Sequence, residues 1–205
     1  MEKLTSKRYS LWGISSYAVG GLQFSEFKLG VTHAASGVAM LFYQLLCFPP
    51  LNRKLTSLLL YRIILFLLIP TMGFYPYACN SFLENVPLLW TGAIVFICLQ
   101  RIFYTTCYAT GDIMLNNSSS PANVGGINGL NASLSSLMRV IGPVVAGSLY
   151  STTAYSGNSF PMNYSFTFSL IALFCLLNFF SSLFISKEVN FRIHNAELPK
   201  ESSQK

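Results

Sequence analysis

Apolar residues run almost without interruption through five stretches of this chain, at about residues 27–48, 57–78, 88–110, 125–152 and 165–186, and polar residues collect between them. Each stretch approaches the ~20 residues that a helix rising ~1.5 Å per residue needs to cross a ~30 Å hydrocarbon layer. In lipid, backbone N–H and C=O groups must bond one another, so a spanning segment is a helix or part of a closed barrel. These stretches are too long and too evenly apolar for barrel strands. The pattern therefore predicts an all-α fold, a polytopic membrane helix bundle over residues 27–186 with five full spans. A further apolar patch, Leu11–Phe24, would reach only ~21 Å as a helix and is broken by Gly20, Gly21 and Gln23. Within the polar residues 1–26 it reads as the short remnant of another helix, and residues 187–205 read as a polar tail.

Punctuation marks the ends of the spans. The first runs from Phe27 to a stop expected at Pro49-Pro50; the second follows Arg53 and Lys54 and is interrupted late by Pro70, Gly73 and Pro76. Tyr75, Tyr77 and Trp90 fall where an aromatic belt is expected at the outer interface. The loop Asn116–Asn123, with Ser118, Ser119, Ser120 and Pro121, has the composition of a turn. The fifth span, rich in Phe and Leu, is expected to face lipid.

Charge then orients the bundle. Charged residues are 10% of the chain and apolar residues 52%, which excludes a water-soluble fold. The net charge of +6 does not mark a nucleic-acid binder, because the basic residues gather at span ends and not in a groove with interleaved aromatics. Arg53, Lys54, Lys187, Arg192, Lys200 and Lys205 lie on one side, and the loops 79–87 and 153–164 opposite contain no basic residue. By the positive-inside rule, the 49–56 loop and the C-terminus are cytoplasmic. Of the Asn-x-Ser sequons at Asn116, Asn117, Asn131 and Asn163, this orientation leaves only Asn163 on the outer side. Four of the five cysteines fall in or at the ends of spans, so no disulfide framework is expected. The two histidines, His33 and His194, are far apart, and no metal site or cofactor is expected.

The chemistry worth noting is inside the spans. Gly125, Gly129 and Ser133 repeat every four residues, which puts them on one helix face where another backbone could approach closely, either for simple packing or as a gate. Pro143 leaves the carbonyl of Arg139 without its helical donor; with Gly142 beside it and Gly147 beyond, a kink is expected there. Arg101 and Arg139 fall near mid-span, where a charge costs about 2.5–3.5 kcal/mol on the insertion scale. No acid lies deep in a span, and Asp112 is too far along the same helix from Arg101 to pair with it. The counter-charge would be a carboxylate elsewhere, an anionic substrate, or carbonyls of broken helices. Arg62 reads as a residue snorkelling to the interface. His33, Gln44, Gln100 and Asn131 are candidate cavity polars, or members of interhelical hydrogen bonds. No histidine cluster, paired carboxylates or nucleophile and base suggests an enzyme.

The run from Asn123 to Tyr150, with its pattern Gly-x-x-Asn-Gly-Leu-x-x-Ser-x-x-Ser-Leu-x-Arg-x-x-Gly-Pro-x-x-x-Gly, resembles the eleventh helix of major facilitator superfamily transporters, in the drug:proton antiporter-like branch that includes the zinc-induced facilitators. Gly20-Gly21-Leu22-Gln23-Phe24-Ser25 resembles the loop after helix seven; Gln44, Phe48-Pro49 and Arg53 resemble the end of helix eight, and Asn116-Asn117-Ser118 also fits. The resemblance implies that the five spans are helices eight to twelve of a twelve-helix secondary carrier, the carboxy-terminal half, with the helices before them absent. It implies transport of a small solute by alternating access with a proton as coupling ion. A homodimer or a second transporter half would complete the carrier. Two basic residues facing a cavity would favour an anionic solute. The membrane implied is the plasma membrane or an endomembrane, vacuole or endoplasmic reticulum. The alternative is a noncatalytic membrane protein that uses the Gly125-Gly129-Ser133 face to bind a partner.

Overall fold

The structure, a computed structural model, describes residues 13–15, 21–81, 86–154, 163 and 165–191. Most of the Leu11–Phe24 patch and the tail beyond residue 191 lie outside the described residues. What is described is all helix, with no strand: α1 (Glu26–Phe42), a π-helical turn (Tyr43–Cys47), α2 (Phe48–Leu55), α3 (Ser57–Ser81), α4 (Val86–Asn117), α5 (Val124–Ala154), α6 (Phe166–Leu183) and a 3₁₀ turn (Lys187–Asn190). Five segments are long and apolar enough to cross a membrane: Glu26–Leu55, Ser57–Phe74, Pro87–Asn117, Val124–Thr153 and Phe166–Leu183. The chain is an integral, multi-pass membrane protein.

The first span does not stop at Pro49-Pro50. Those prolines enter in the first turn of α2, which follows directly on a π-helical turn. The π turn makes the junction, with the N–H of Phe48 donating to the carbonyl of Tyr43 five residues back. The chain ends this segment only at Thr56, whose φ of 60° is uncommon for a β-branched residue. Bonds on either side hold that turn: the Ser57 hydroxyl donates to Asn52 Oδ1 at 3.0 Å, and the N–H of Leu58 donates to Asn190 Oδ1 at 2.9 Å. The loop between α4 and α5 is shorter than its composition suggests, because Asn116 and Asn117 still belong to α4.

α4 is the hub, packing against α1 on one side and α3 on the other, while α3 packs in turn against α6. Buried Leu60, Ile64, Leu65, Leu68 and Met72 fall at intervals of three and four along one face of α3, and join Phe48, Tyr104 and Cys175 in one core cluster. The opposite face of α3, with Leu59, Ile63, Phe66 and Leu67, is exposed. A second cluster, toward the other end, unites Leu22, Phe24 and Leu29 with Leu89, Ala93, Ile97, Tyr150 and Phe168. α6 is thus not simply a lipid-facing span. It buries Thr167, Phe168, Cys175 and Ser182, and leaves Leu173, Phe174, Leu177 and Phe180 outside.

At the start of the described chain, the N–H of Gln23 donates to the Ser15 carbonyl at 3.0 Å and that of Phe24 to the Gly13 carbonyl at 2.7 Å. This close crossing requires glycine at 21, since a Cβ there would lie 2.1 Å from the Ser15 carbonyl oxygen. The obstacle is backbone and has no rotamer to escape into. Gly21→Ala is expected to destabilise the protein by about 1–3 kcal/mol, read as a lower midpoint of thermal unfolding in detergent. An unchanged midpoint would show that the crossing is not fixed.

Candidate functional site

Several polar residues of the spans lie on α4 or meet it. Gln100 and Arg101 are neighbours, and at ~100° per residue their side chains leave the helix in different directions. Gln100 is 3% exposed and turns toward α3, where its Nε2 lies 3.2 Å from Met72 Sδ. The hydroxyl of Tyr104 lies one turn on, 3.8 Å from the same sulfur. A thioether is a weak acceptor, so this buried amide and phenol are held by packing more than by hydrogen-bond strength.

Arg101 turns the other way, toward α1. It is half-buried and within electrostatic reach of His33. Below it on the same pair of helices, the hydroxyls of Tyr43 and Thr106 are hydrogen-bonded at 3.0 Å. Thr105, one turn from Arg101, buries its hydroxyl without a hydrogen-bond partner among the described residues, and so does the carbonyl of Gln44 in the π turn. Orphaned polar atoms away from water cost about 1–3 kcal/mol each in a dry interior. Among the described residues the α1–α4 seam thus holds two buried polar atoms without a partner; Trp90 Nε1 and Thr167 Oγ1, elsewhere in the bundle, are two more.

A second polar group sits where α4 ends and α5 begins. Asn131 Nδ2 donates to Asp112 Oδ1 at 3.0 Å, and Asn128 Nδ2 donates to Asn116 Oδ1 at 2.8 Å. Both donors come from α5 and both acceptors from α4, one helical turn apart, so the hairpin is stitched by two parallel bonds. Beyond this point α5 is largely exposed among the described residues, until Ala146 and Tyr150 are buried near its far end. A Cβ added at Gly125, Gly129 or Gly147 would meet nothing within 4 Å. The small-residue face, read from the sequence as a close helix contact, has no such contact within the described chain. α5 is one continuous helix through Gly142 and Pro143. Arg139 is exposed on it and has no hydrogen-bond or ion-pair partner among the described residues. Ser133 bonds only back along its own helix, to the Gly129 carbonyl at 2.9 Å.

The residues singled out from the sequence therefore separate into groups. His33 and Arg101 come together, with Gln44 farther along the same helix as His33. Gln100 faces α3, Asn131 belongs to the hairpin, and Arg139 lies apart on α5. Tyr43, Thr105 and Thr106 were not singled out; their spacing along α1 and α4 relative to His33 and Arg101 was the available signal. Asp112 was weighed only as a partner for Arg101 along its own helix, and its actual partner comes from the next helix. Among the described residues, no group of three His, Cys, Asp or Glu side chains could hold a metal ion.

No family model matches the chain, and no solved structure matches it. Curated relatives do. Over 146 residues, 70% of this chain, it is 34% identical to a protein of Arabidopsis thaliana named a probable peptide/nitrate transporter, and that match covers 29% of the relative. It is 27% identical over 146 residues to Zinc Induced Facilitator 1 of the same plant, covering 71% of this chain and 29% of the relative. It is 32% identical over 143 residues to a major facilitator superfamily multidrug transporter of Aspergillus fumigatus, covering 68% of this chain and 23% of the relative. The chain thus spans less than a third of the length of the curated relatives it matches.

Proposed function

Starting from its similarity to a major facilitator superfamily transporter over 68% of its own length, we propose that the chain is part of a secondary transporter of that superfamily and supplies the carboxy-terminal helices of its solute path. The observation that supports this reading best is the α1–α4 seam: a guanidinium and an imidazole in electrostatic reach of each other, with a buried hydroxyl and a buried amide carbonyl that lack partners among the described residues. A solute with anionic and hydrogen-bond-donating groups would satisfy both needs at once. The Arabidopsis relative named for peptides and nitrate, two solutes that carry an anionic group, fits that choice. The coupling ion in this proposal is a proton, the C-terminus is cytoplasmic, and the membrane is an endomembrane or the plasma membrane.

The open face of α5, with Gly125 and Gly129 uncovered, is where a second transporter half or a second copy of this chain would pack to close the path. The test is uptake into proteoliposomes containing the purified chain, with nitrate, a dipeptide and zinc offered in turn under an imposed pH gradient. Uptake of an anionic solute that collapses with the gradient is the expected result. Uptake of none of the three, by the chain alone or with a co-purifying partner, would overturn the transporter reading and leave a membrane interaction protein.

A further inference from the structure

The cations that orient the bundle are also organised by the fold. Asn190 ties the 3₁₀ turn to the start of α3: its Oδ1 accepts from the N–H of Leu58, and its Nδ2 donates to the Lys187 carbonyl at 3.1 Å. The neighbouring Ser57 bonds to Asn52, the residue before Arg53 and Lys54 in the last turn of α2. A second bond, from Asn117 Nδ2 to the Val189 carbonyl at 3.1 Å, pins the same turn to the end of α4. Hydrogen bonds therefore tie the turn that carries Lys187 to Leu58, and the adjoining Ser57 to Asn52, the residue before Arg53 and Lys54. Leu58 and Asn190, which make the first of these links, lie 132 positions apart in sequence.

All three cations are exposed, and among the described residues none pairs with a carboxylate. Arg62, close by in sequence, is different: its guanidinium is occupied by the carbonyls at the end of α6. Glu188 is the acid of the turn and reduces the excess to two charges. Flanking the turn, Phe184 is 91% and Phe191 73% exposed. The patch stands at the ends of spans, where lipid headgroups lie.

We infer that Arg53, Lys54 and Lys187 form a docking surface for the headgroup of an anionic phospholipid, with Phe184 and Phe191 resting in the adjoining acyl layer. Basic clusters just outside spanning helices attract anionic headgroups. A soluble anion would use the cations and have no use for two exposed phenyl rings. The surface is built by the docked turn, and Thr56 in its unusual backbone conformation is held by the same bonds.

The experiment uses the full chain in zwitterionic detergent, titrated with fluorescent phosphatidylserine or phosphatidylcholine at low salt. At roughly fivefold per net basic residue, a preference of about 30-fold for phosphatidylserine is expected, fading as salt rises. The triple variant Arg53→Gln, Lys54→Gln, Lys187→Gln should bring the two lipids within about twofold of each other while keeping the helical circular dichroism of the parent. Lys28→Gln, at the other end of α1, should keep the preference. Equal binding of both lipids by the parent, or a preference retained by the triple variant, would overturn the assignment. So would an equal loss in Lys28→Gln, which would point to net charge alone, and so would full competition by inorganic phosphate, which would point to a soluble anion.

Discussion

Replacing Arg62 with Gln is expected to lower the stability of the bundle by about 1.5–3 kcal/mol, the range of hydrogen bonds made by a charged group. Arg62 lies in α3, and its guanidinium reaches across to the last turn of α6. Nη2 is 2.7 Å from the Ser182 carbonyl, 3.5 Å from that of Leu183 and 3.3 Å from that of Ile185, while Nε is 3.3 Å from Ser182. The Ser182 and Leu183 carbonyls belong to the last turn of α6, at the negative end of its dipole, and Ile185 follows just beyond it; Ser182 also accepts the N–H of Ile185 at 3.2 Å. One side chain thus supplies a cap, a counter-charge and a tie between two helices. Gln has the reach of neither the fork nor the charge. Arg62→Lys should recover only part of the loss, because an ammonium is a point donor and cannot address several carbonyls in the geometry of the fork. Denaturant titration in detergent, followed by circular dichroism, reads the ranking directly. A Gln variant as stable as the parent would mean that water caps α6 equally well and that the contact is incidental.

The same residue shows what a single dimension hides. Arg62 stands early in an apolar span, and snorkelling to the interface was the reading available, because the carbonyls it serves lie about 120 positions away. The five spans were legible because length and apolarity suffice to define them. Which face of each span packs was not. On α3, Leu60 and Leu68 are buried while Leu59 and Leu67 are exposed, and in lipid both faces want the same side chains, so no alternation of polarity records the difference. The small residues of α5 pose a related problem. Gly125 and Gly129 permit close approach, but a permissive face needs a neighbour, and among the described residues α5 has none there. The prolines at 49 and 50 were read as a stop because an α-helical ladder was assumed before them; a π turn changes the ladder and lets the segment continue to Leu55. The hairpin bond from Asn131 to Asp112 was open to sequence reasoning, since antiparallel neighbours across a short loop meet in mirrored order, and only the search along one helix kept it from view.

On the transporter reading, Arg101→Gln is expected to lower uptake of an anionic solute by about 10- to 150-fold, the equivalent of one charge-assisted hydrogen bond of ~1.5–3 kcal/mol. Arg101 and Arg139 looked alike in the sequence, both being cations near mid-span. Their settings differ in a way that makes opposite predictions. Arg101 is half-buried on the hub helix, faces His33 across the α1–α4 seam, and has Thr105 with an orphaned hydroxyl one turn away. Arg139 is exposed on α5, with no hydrogen-bond or ion-pair partner among the described residues. If the seam binds the solute, then Arg101→Gln and His33→Ala should both raise the solute concentration for half-maximal uptake, and Arg101→Lys should restore part of what Gln removes, since it keeps the charge and gives up the bidentate fork. Arg139→Gln should alter uptake only where a second half or second copy covers α5, and so should track the amount of complex on native gels instead of the solute concentration. Equal defects from Arg101→Gln and Arg139→Gln, with no shift in half-maximal concentration, would place both arginines in assembly and remove the seam from the solute path.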